Sequence, residues 1–163
     1  MKQMGESMYY CAVQLSITVA IESIDKITDN TKFEELKVEL FNNIVAVIHL
    51  AGDIYPRLKH CGSWESVLNT TEREFLLAFA YLNNQIKHDM DLQLFHYEVY
   101  GSSFPLKFPF HFGPPCLAWS SFPDHGNSRK AKREYYDKYL KHKDVKTSLK
   151  MLNRIFERCR ETH

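Results

Sequence analysis

Cysteine is scarce in this chain, which contains four among 163 residues, and no two of them are closer than 43 positions. This spacing excludes C-x-x-C motifs and the dense disulfide frameworks of small secreted domains, so we expect reduced thiols and a cytoplasmic protein. Only six glycines occur, and none forms a Gly-rich phosphate loop. No apolar run approaches the roughly 18 residues of a membrane span, and Gln14, Ser16 and Thr18 interrupt the apolar N-terminal stretch. We therefore expect neither a signal peptide nor a membrane partner.

Charge is balanced over the whole chain but not along it. Residues 1–128 carry a net charge of −6 and residues 129–163 carry +7, which together give the overall +1. Such asymmetry favours either an anionic partner for the basic end or a match between the basic end and the acidic body, within the chain or between subunits. The length, with 44% hydrophobic and 25% charged residues, predicts a single globular domain over residues 1–163.

Apolar residues recur every three or four positions through most of the chain, which predicts amphipathic helices. The predicted stripes are Tyr10, Val13, Ile17, Ala20, Ile24 and Ile27; Phe33, Leu36, Leu40, Ile44, Val47, Ala51 and Ile54; Phe75, Phe79, Leu82, Ile86 and Met90; and Val145, Leu149, Leu152, Phe156 and Cys159.

Helix boundaries are predicted from capping residues and from proline. Thr31 with Glu34 has the spacing of a capping box ahead of the second helix, and Thr71 with Glu74 repeats it ahead of the third. Pro56 is predicted to end the second helix. Asp144 is predicted to cap the last helix.

The helical periodicity fails at about residues 100–128, which hold five of the six prolines and many aromatic residues. Proline excludes a long helix there and leaves room only for extended pieces, while the aromatic residues favour packing on the bundle or on a second subunit. Two basic helices are predicted over residues 129–163. The fold class is therefore all-α: an up-and-down bundle of four to five helices with a long Pro- and aromatic-rich loop between helices three and four.

The third predicted helix carries the polar stretch YLNNQIKHDMDL, residues 81–92. Asn84 and His88 lie one turn apart on one helical face, and Asn83 and Lys87 form an adjacent ridge. Histidine can act as a general acid or base, an amide can orient a phosphate, and lysine can offset charge that develops on a phosphorane. These residue types are suited to catalysis on RNA. The alternative interpretation is an ordinary solvated helix face.

The order Asn-Asn-x-x-Lys-His-Asp on a late helix of a small helical bundle resembles the signature helix of the HEPN superfamily, which reads arginine, a polar residue that is often asparagine, variable positions, then histidine. Many HEPN proteins are dimeric, metal-independent ribonucleases of toxin-antitoxin, abortive-infection and CRISPR systems, with the site across the dimer interface. The resemblance implies that His88 is the catalytic histidine and Asn84 the orienting polar residue, with Lys87 as charge stabiliser. It also implies a homodimer.

Asn83 stands where the HEPN motif has its arginine. Asparagine lacks the permanent charge that arginine offers to a phosphate, and HEPN-like domains without the arginine are presumed to be non-catalytic. Two readings therefore stay open: an active ribonuclease and an inactive module for dimerisation or protein interaction.

The basic C-terminal region interleaves Lys and Arg with tyrosines. Lysine and arginine neutralise phosphates and aromatic faces stack on unpaired bases, so Arg129, Lys130, Lys132 and Arg133 are candidate RNA-binding residues. The alternative is that the nearby tyrosines, at helical spacing, are core or dimer contacts. Scattered possible metal ligands lack zinc-ligand spacing, and we expect no metal and no cofactor; they are His60, Cys61, His88, Asp91, His96, His111, Cys116 and His125.

The sequence thus predicts an HEPN-like protein of a prokaryotic defence or toxin-antitoxin system that binds RNA or cleaves it without metal, with a cognate antitoxin or other protein as a further partner. The alternatives are an inactive HEPN-like interaction module, which would rely on the loop from Phe108 to Trp119, and a helical regulator that binds a small ligand.

Overall fold

The structure, a computed structural model, describes residues 2–61, 67–88, 93–98, 115–122 and 130–161, and it describes side chains within residues 8–53, 67–88, 93–98, 115–122 and 132–161. These ranges form five helices and one two-stranded sheet. In chain order the elements are α1 (Lys2–Asp25), α2 (Asn30–Cys61), α3 (Thr70–His88), β1 (Phe95–Glu98), β2 (Cys116–Trp119), α4 (Lys130–Tyr139) and α5 (Val145–Glu161). The protein is a mostly helical bundle, as the periodicity predicts.

The predicted apolar stripes form one core. The first four helices pack in chain order, since α2 packs against both α1 and α3, and α4 packs against α3; the last helix, α5, packs against α1. The buried side chains include Val13, Ile17 and Ala20 of α1, Leu40, Ile44 and Val47 of α2, Phe75, Phe79 and Leu82 of α3, and Leu149, Leu152 and Phe156 of α5. Ile54 and Met90 lie outside the described side chains.

Two helices begin at different caps from those predicted. Asp29 Oδ1 accepts the backbone N–H of Lys32 at 2.9 Å, so Asp29, and not Thr31, caps α2. At α3 the backbone N–H of Glu72 donates to Asn69 Oδ1 at 2.9 Å, and Asn69 N–H donates to Glu72 Oε2 at 3.0 Å. This is a capping box two residues earlier than the predicted one.

The start of α5 agrees with the prediction, whereas the end of α2 does not. Asp144 caps α5 as predicted, because its Oδ2 accepts the N–H of Thr147 at 2.7 Å. The prediction that Pro56 ends the second helix was wrong, because α2 continues to Cys61. Proline removes one backbone donor, and a long helix can tolerate the loss of that single hydrogen bond.

The sheet is an amphipathic ribbon in which β1 and β2 run antiparallel, with Phe95 opposite Trp119 and Glu98 opposite Cys116. The extended backbone of β2 agrees with the prediction that only extended pieces fit the proline-rich region, whereas β1 precedes that region and was not predicted. One face, with Phe95, Leu117 and Trp119, is buried in the core. Residues 100–114 and 123–128 of the predicted loop lie outside the described ranges.

The turn between α4 and α5 adds to the free edge of β2. Ala118 forms an antiparallel bridge with Asp144. Trp119 N–H donates to Lys143 O at 3.1 Å, and His142 N–H donates to Trp119 O at 2.9 Å. The turn therefore pairs with the edge of β2 that β1 leaves open. None of the described helices has the length and apolar character needed to cross a membrane.

Candidate functional site

The three residues predicted to be catalytic lie at the C-terminal end of α3. Asn84, Lys87 and His88 are all exposed, and His88 is the last residue of the helix. The one-turn spacing of Asn84 and His88 puts them on a common face, as the sequence predicts. Within the described residues this is a solvent-facing polar ridge.

Asn83 is placed differently from its neighbours, because only 4% of it is exposed. Its Oδ1 lies 2.6 Å from His49 Nδ1 on α2, so the imidazole donates a hydrogen bond to the amide oxygen. Gly52, one turn further along α2, packs directly against the same side chain. Asn83 therefore belongs to the contact between α2 and α3.

Asn83 and His88 point in different directions. Residues five positions apart on a helix differ by about 140° around its axis. Asn83 lies on the buried side of α3, and His88 lies at its exposed C-terminal end. Because Asn83 is buried against α2 whereas His88 is exposed, these two side chains do not converge on one point within the described part of this chain. An arginine at position 83 would meet Gly52 and His49 instead of solvent.

Gly52 permits this close approach of the two helices. A Cβ added at position 52 would lie 2.7 Å from Asn83 Cβ and 2.8 Å from its Cγ, distances that real Cβ atoms essentially never show. Glycine in the middle of a helix is otherwise unfavourable by about 0.5–1 kcal/mol relative to alanine. The observed contact gives the physical reason for glycine at this position.

We expect Gly52→Ala to lower the free energy of unfolding by about 1–3 kcal/mol, because overpacking outweighs the gain in helix propensity. Urea unfolding followed by circular dichroism measures the change. Ala46→Gly, at an exposed position of the same helix, is the control, and it should show only the propensity loss of about 1 kcal/mol. If Gly52→Ala stabilises the protein, the close contact with Asn83 does not exist.

Three basic side chains of the C-terminal helices pair with carboxylates in the acidic body of the same chain. Lys138 Nζ lies 2.9 Å from Glu74 Oε2 on α3. Lys146 pairs with Asp25 of α1, and Arg158 pairs with Glu72 of α3. The charge asymmetry in the sequence is thus matched, in part, within the chain.

Glu74 receives a second bond in this network. Tyr139 Oη donates to Glu74 Oε2 at 2.5 Å. The hydrogen bonds from Tyr139 and from Lys138 lower the pKa of the Glu74 carboxyl below its usual value. Tyr139 also packs edge-on against Phe75, so it acts as a core contact here.

The candidate RNA-binding residues lie on or before α4. Arg133 is largely covered, with Nη2 donating to Phe122 O at 3.4 Å and Nε 3.7 Å from Asp137 Oδ2. Lys132 is half-buried. Lys130 begins α4, but its side chain is outside the described residues, as is all of Arg129. Of the two candidate arginines, the structure describes Arg133, and its guanidinium contacts Phe122 and Asp137 of the same chain.

A second polar cluster lies on the outer face of the ribbon and was not predicted. His96 and Glu98 of β1 and His142 of the α4–α5 turn each place one ligand atom within 4.8 Å of the others. His96 Nε2 is 2.7 Å from Glu98 Oε1, and its Nδ1 is 3.3 Å from Ser120 Oγ. Two imidazoles and a carboxylate form a donor set suited to a divalent transition metal.

A further feature is an apolar surface on α1. Met8, Ala12, Leu15 and Val19 follow one another at steps of four, three and four, and all four are exposed. We call these residues the α1 outer stripe. The segment from residue 8 to residue 21 contains no charged side chain. The helix thus presents one apolar stripe to the core and another to solvent.

Comparisons with protein-family models, with curated proteins and with solved structures found no match to this chain. The class that the fold defines is a mostly helical bundle with a two-stranded ribbon. The HEPN resemblance stays a prediction.

Proposed function

We propose that this chain is a non-catalytic interaction module that works as a homodimer, with α3 as an HEPN-like framework helix and not a ribonuclease site. The observation that carries the proposal is the burial of Asn83 against α2. A catalytic pair must converge on one phosphate. Asn83, which stands at the position of the motif arginine, is uncharged and faces α2, so it is not placed to bind that phosphate.

The α1 outer stripe supports self-association. Solvated helix faces in soluble proteins carry charged and polar residues, and a contiguous exposed apolar surface usually marks an interaction site. Met8 and Leu15 are 70% and 66% exposed, respectively. Covering an uncharged, largely apolar helix face with a similar face removes apolar surface from water, which is favourable, and desolvates few polar groups.

The order of side-chain sizes along the stripe favours an antiparallel pairing of two α1 helices. A two-fold axis between Ala12 and Leu15 places Met8 against the partner's Val19 and Ala12 against the partner's Leu15. Large residues then meet small or medium ones, so the side chains interdigitate. A parallel pairing would put alanine against alanine and leave a gap. The stripe is therefore self-complementary in one orientation.

RNA cleavage is the second candidate function, because Asn84, Lys87 and His88 are exposed together on the last turn of α3. A histidine and a lysine on one solvent-facing turn can bind a phosphate and move a proton without metal. In this reading, a residue from a second copy must replace the motif arginine.

The proposal predicts that the wild-type protein does not cleave a pool of mixed single-stranded RNA and tRNA in EDTA. His88→Ala should give the same result as wild type, with both proteins verified as folded by circular dichroism. Cleavage by wild type that is lost in His88→Ala would contradict the proposal and establish the ribonuclease. Lys87→Ala would then show whether the lysine stabilises the charge.

A further inference from the structure

We propose that His96, Glu98 and His142 form a binding site for Zn²⁺ that links β1 to the α4–α5 turn. The three ligand atoms already lie within 4.8 Å of one another. Zinc is commonly held by two histidines and one glutamate, with a fourth position left for water. This set of donors is softer than the all-oxygen sets that hold Mg²⁺ or Ca²⁺.

The two ligands from β1 are brought together by the strand itself. Residues two apart on a strand point to the same face, so His96 and Glu98 share the outer face of the ribbon. The core face is occupied by Phe95 and Trp119, which fixes the direction of the outer residues. The alternation of side chains along β1 that puts Phe95 in the core therefore also places two of the three ligands, His96 and Glu98, on the outer face.

His142 is brought in by the turn that follows α4. The bridge between Ala118 and Asp144 runs antiparallel, so residue 142 lies across from Ser120 and next to the β1 ligands. The imidazole rings of His96 and His142 have centroids 6.2 Å apart and an interplanar angle of 75°. The hydrogen bond from His142 N–H to Trp119 O, 2.9 Å, fixes this arrangement.

The backbone at His142 has a left-handed conformation that is compatible with histidine. Its φ is 57°, in the left-handed region, and Lys143 N–H closes the turn by donating to Leu140 O at 2.8 Å. Glycine or asparagine is the usual residue at such a turn position. Histidine is among the non-glycine residues that adopt this region most readily, so the turn can present an imidazole at this position.

The ring of His96 is oriented for metal binding by a residue behind it. Ser120, which is buried, places Oγ 3.3 Å from His96 Nδ1. Metal-binding histidines commonly use their second nitrogen in this way, which fixes the ring and the tautomer. Nε2 is thereby directed at Glu98, 2.7 Å away.

The distances require only side-chain adjustment. A tetrahedral Zn²⁺ about 2.1 Å from each ligand atom sets those atoms about 3.4 Å apart. His96 Nε2 and Glu98 Oε1 must therefore separate by less than about 1 Å, while His142 approaches. Since His142 is exposed, its ring is able to rotate toward the ion.

The test is direct titration of the metal-free protein with Zn²⁺ by calorimetry, together with thermal unfolding. We expect one tight site per chain, and an increase in Tm of about 5–10 °C at free zinc one hundred times Kd. His96→Gln, Glu98→Gln and His142→Asn should each weaken binding by about 100-fold or more, and Ser120→Ala by about 10-fold. Asparagine at position 142 removes the imidazole but tolerates the left-handed backbone.

His88→Gln is the matched control, because His88 is an exposed histidine on another element. It should bind zinc as tightly as wild type. All variants should keep the wild-type circular dichroism spectrum and nearly the wild-type Tm in EDTA, which separates loss of metal from loss of fold. Absence of tight binding in wild type, or equal affinity in wild type and the three ligand variants, overturns the proposal. The outcome is independent of the oligomeric state and of ribonuclease activity.

Discussion

Replacement of Trp119 by alanine is expected to lower the free energy of unfolding by about 3–5 kcal/mol, the usual cost of removing a buried aromatic side chain. The indole is fully buried and packs edge-on against Phe79, with ring centroids 6.0 Å apart. Its Nε1 donates a hydrogen bond to Ser148 Oγ at 3.1 Å. One side chain thus joins the ribbon to α3 and α5.

Urea unfolding followed by circular dichroism measures this loss, and Trp119→Phe is the matched variant. Phenylalanine keeps an aromatic ring in the core and loses the hydrogen bond to Ser148, whose hydroxyl still donates to Asp144 O at 2.9 Å. We therefore expect Trp119→Phe to cost less than the alanine variant. A loss below about 1 kcal/mol for Trp119→Ala would mean that the ribbon does not pack as described.

Leu15→Glu is expected to convert the proposed dimer to a monomer. Two-fold symmetry would bury two new carboxylates near the axis, and like charges brought together across an interface cost several kcal/mol. Since each 1.4 kcal/mol corresponds to about tenfold in affinity, we expect Kd to increase by roughly 1000-fold. Sedimentation velocity over a range of concentrations measures the change.

Val38→Glu is the matched control for this experiment. Val38 is 74% exposed on α2, compared with 66% for Leu15 on α1, and it lies outside the α1 outer stripe. The same substitution there should leave the proposed dimer intact and the fold unchanged. If both variants remain dimeric, the interface does not include the outer stripe; if both become monomeric, the effect is one of overall charge.

The helical frame was predictable because its signal is local and repeated. Each stripe, such as Val13, Ile17 and Ala20, repeats the same spacing over several turns, so the helix prediction does not depend on any single residue. Helix starts depend on one side chain, and they were less predictable. At α2 the predicted cap was Thr31. Asp29, two residues earlier, is at least as good a capping residue, and it caps the helix in the structure.

The candidate sites depend on contacts between distant parts of the chain. The polar stretch on α3 was visible in the sequence, but periodicity alone did not indicate that Asn83 faces α2 while Asn84 faces solvent. The His96-x-Glu98 spacing on a short strand was a weak signal for one shared face. The approach of His142 required the ribbon and the α4–α5 turn to be known.

The α1 outer stripe was present in the sequence as well. The stretch of uncharged residues from 8 to 21 was interpreted as a helix with one apolar stripe, although a helix that is apolar on two sides needs two partners. The structure provides one partner, the core formed with α2 and α5.

The most direct test of the proposed dimeric module is the molar mass of the wild-type protein, measured by light scattering after size exclusion over a dilution series. The proposal predicts twice the chain mass of 19.2 kDa for wild type and for Val38→Glu, and the single chain mass for Leu15→Glu. A wild-type protein that has the single chain mass at every concentration would contradict it.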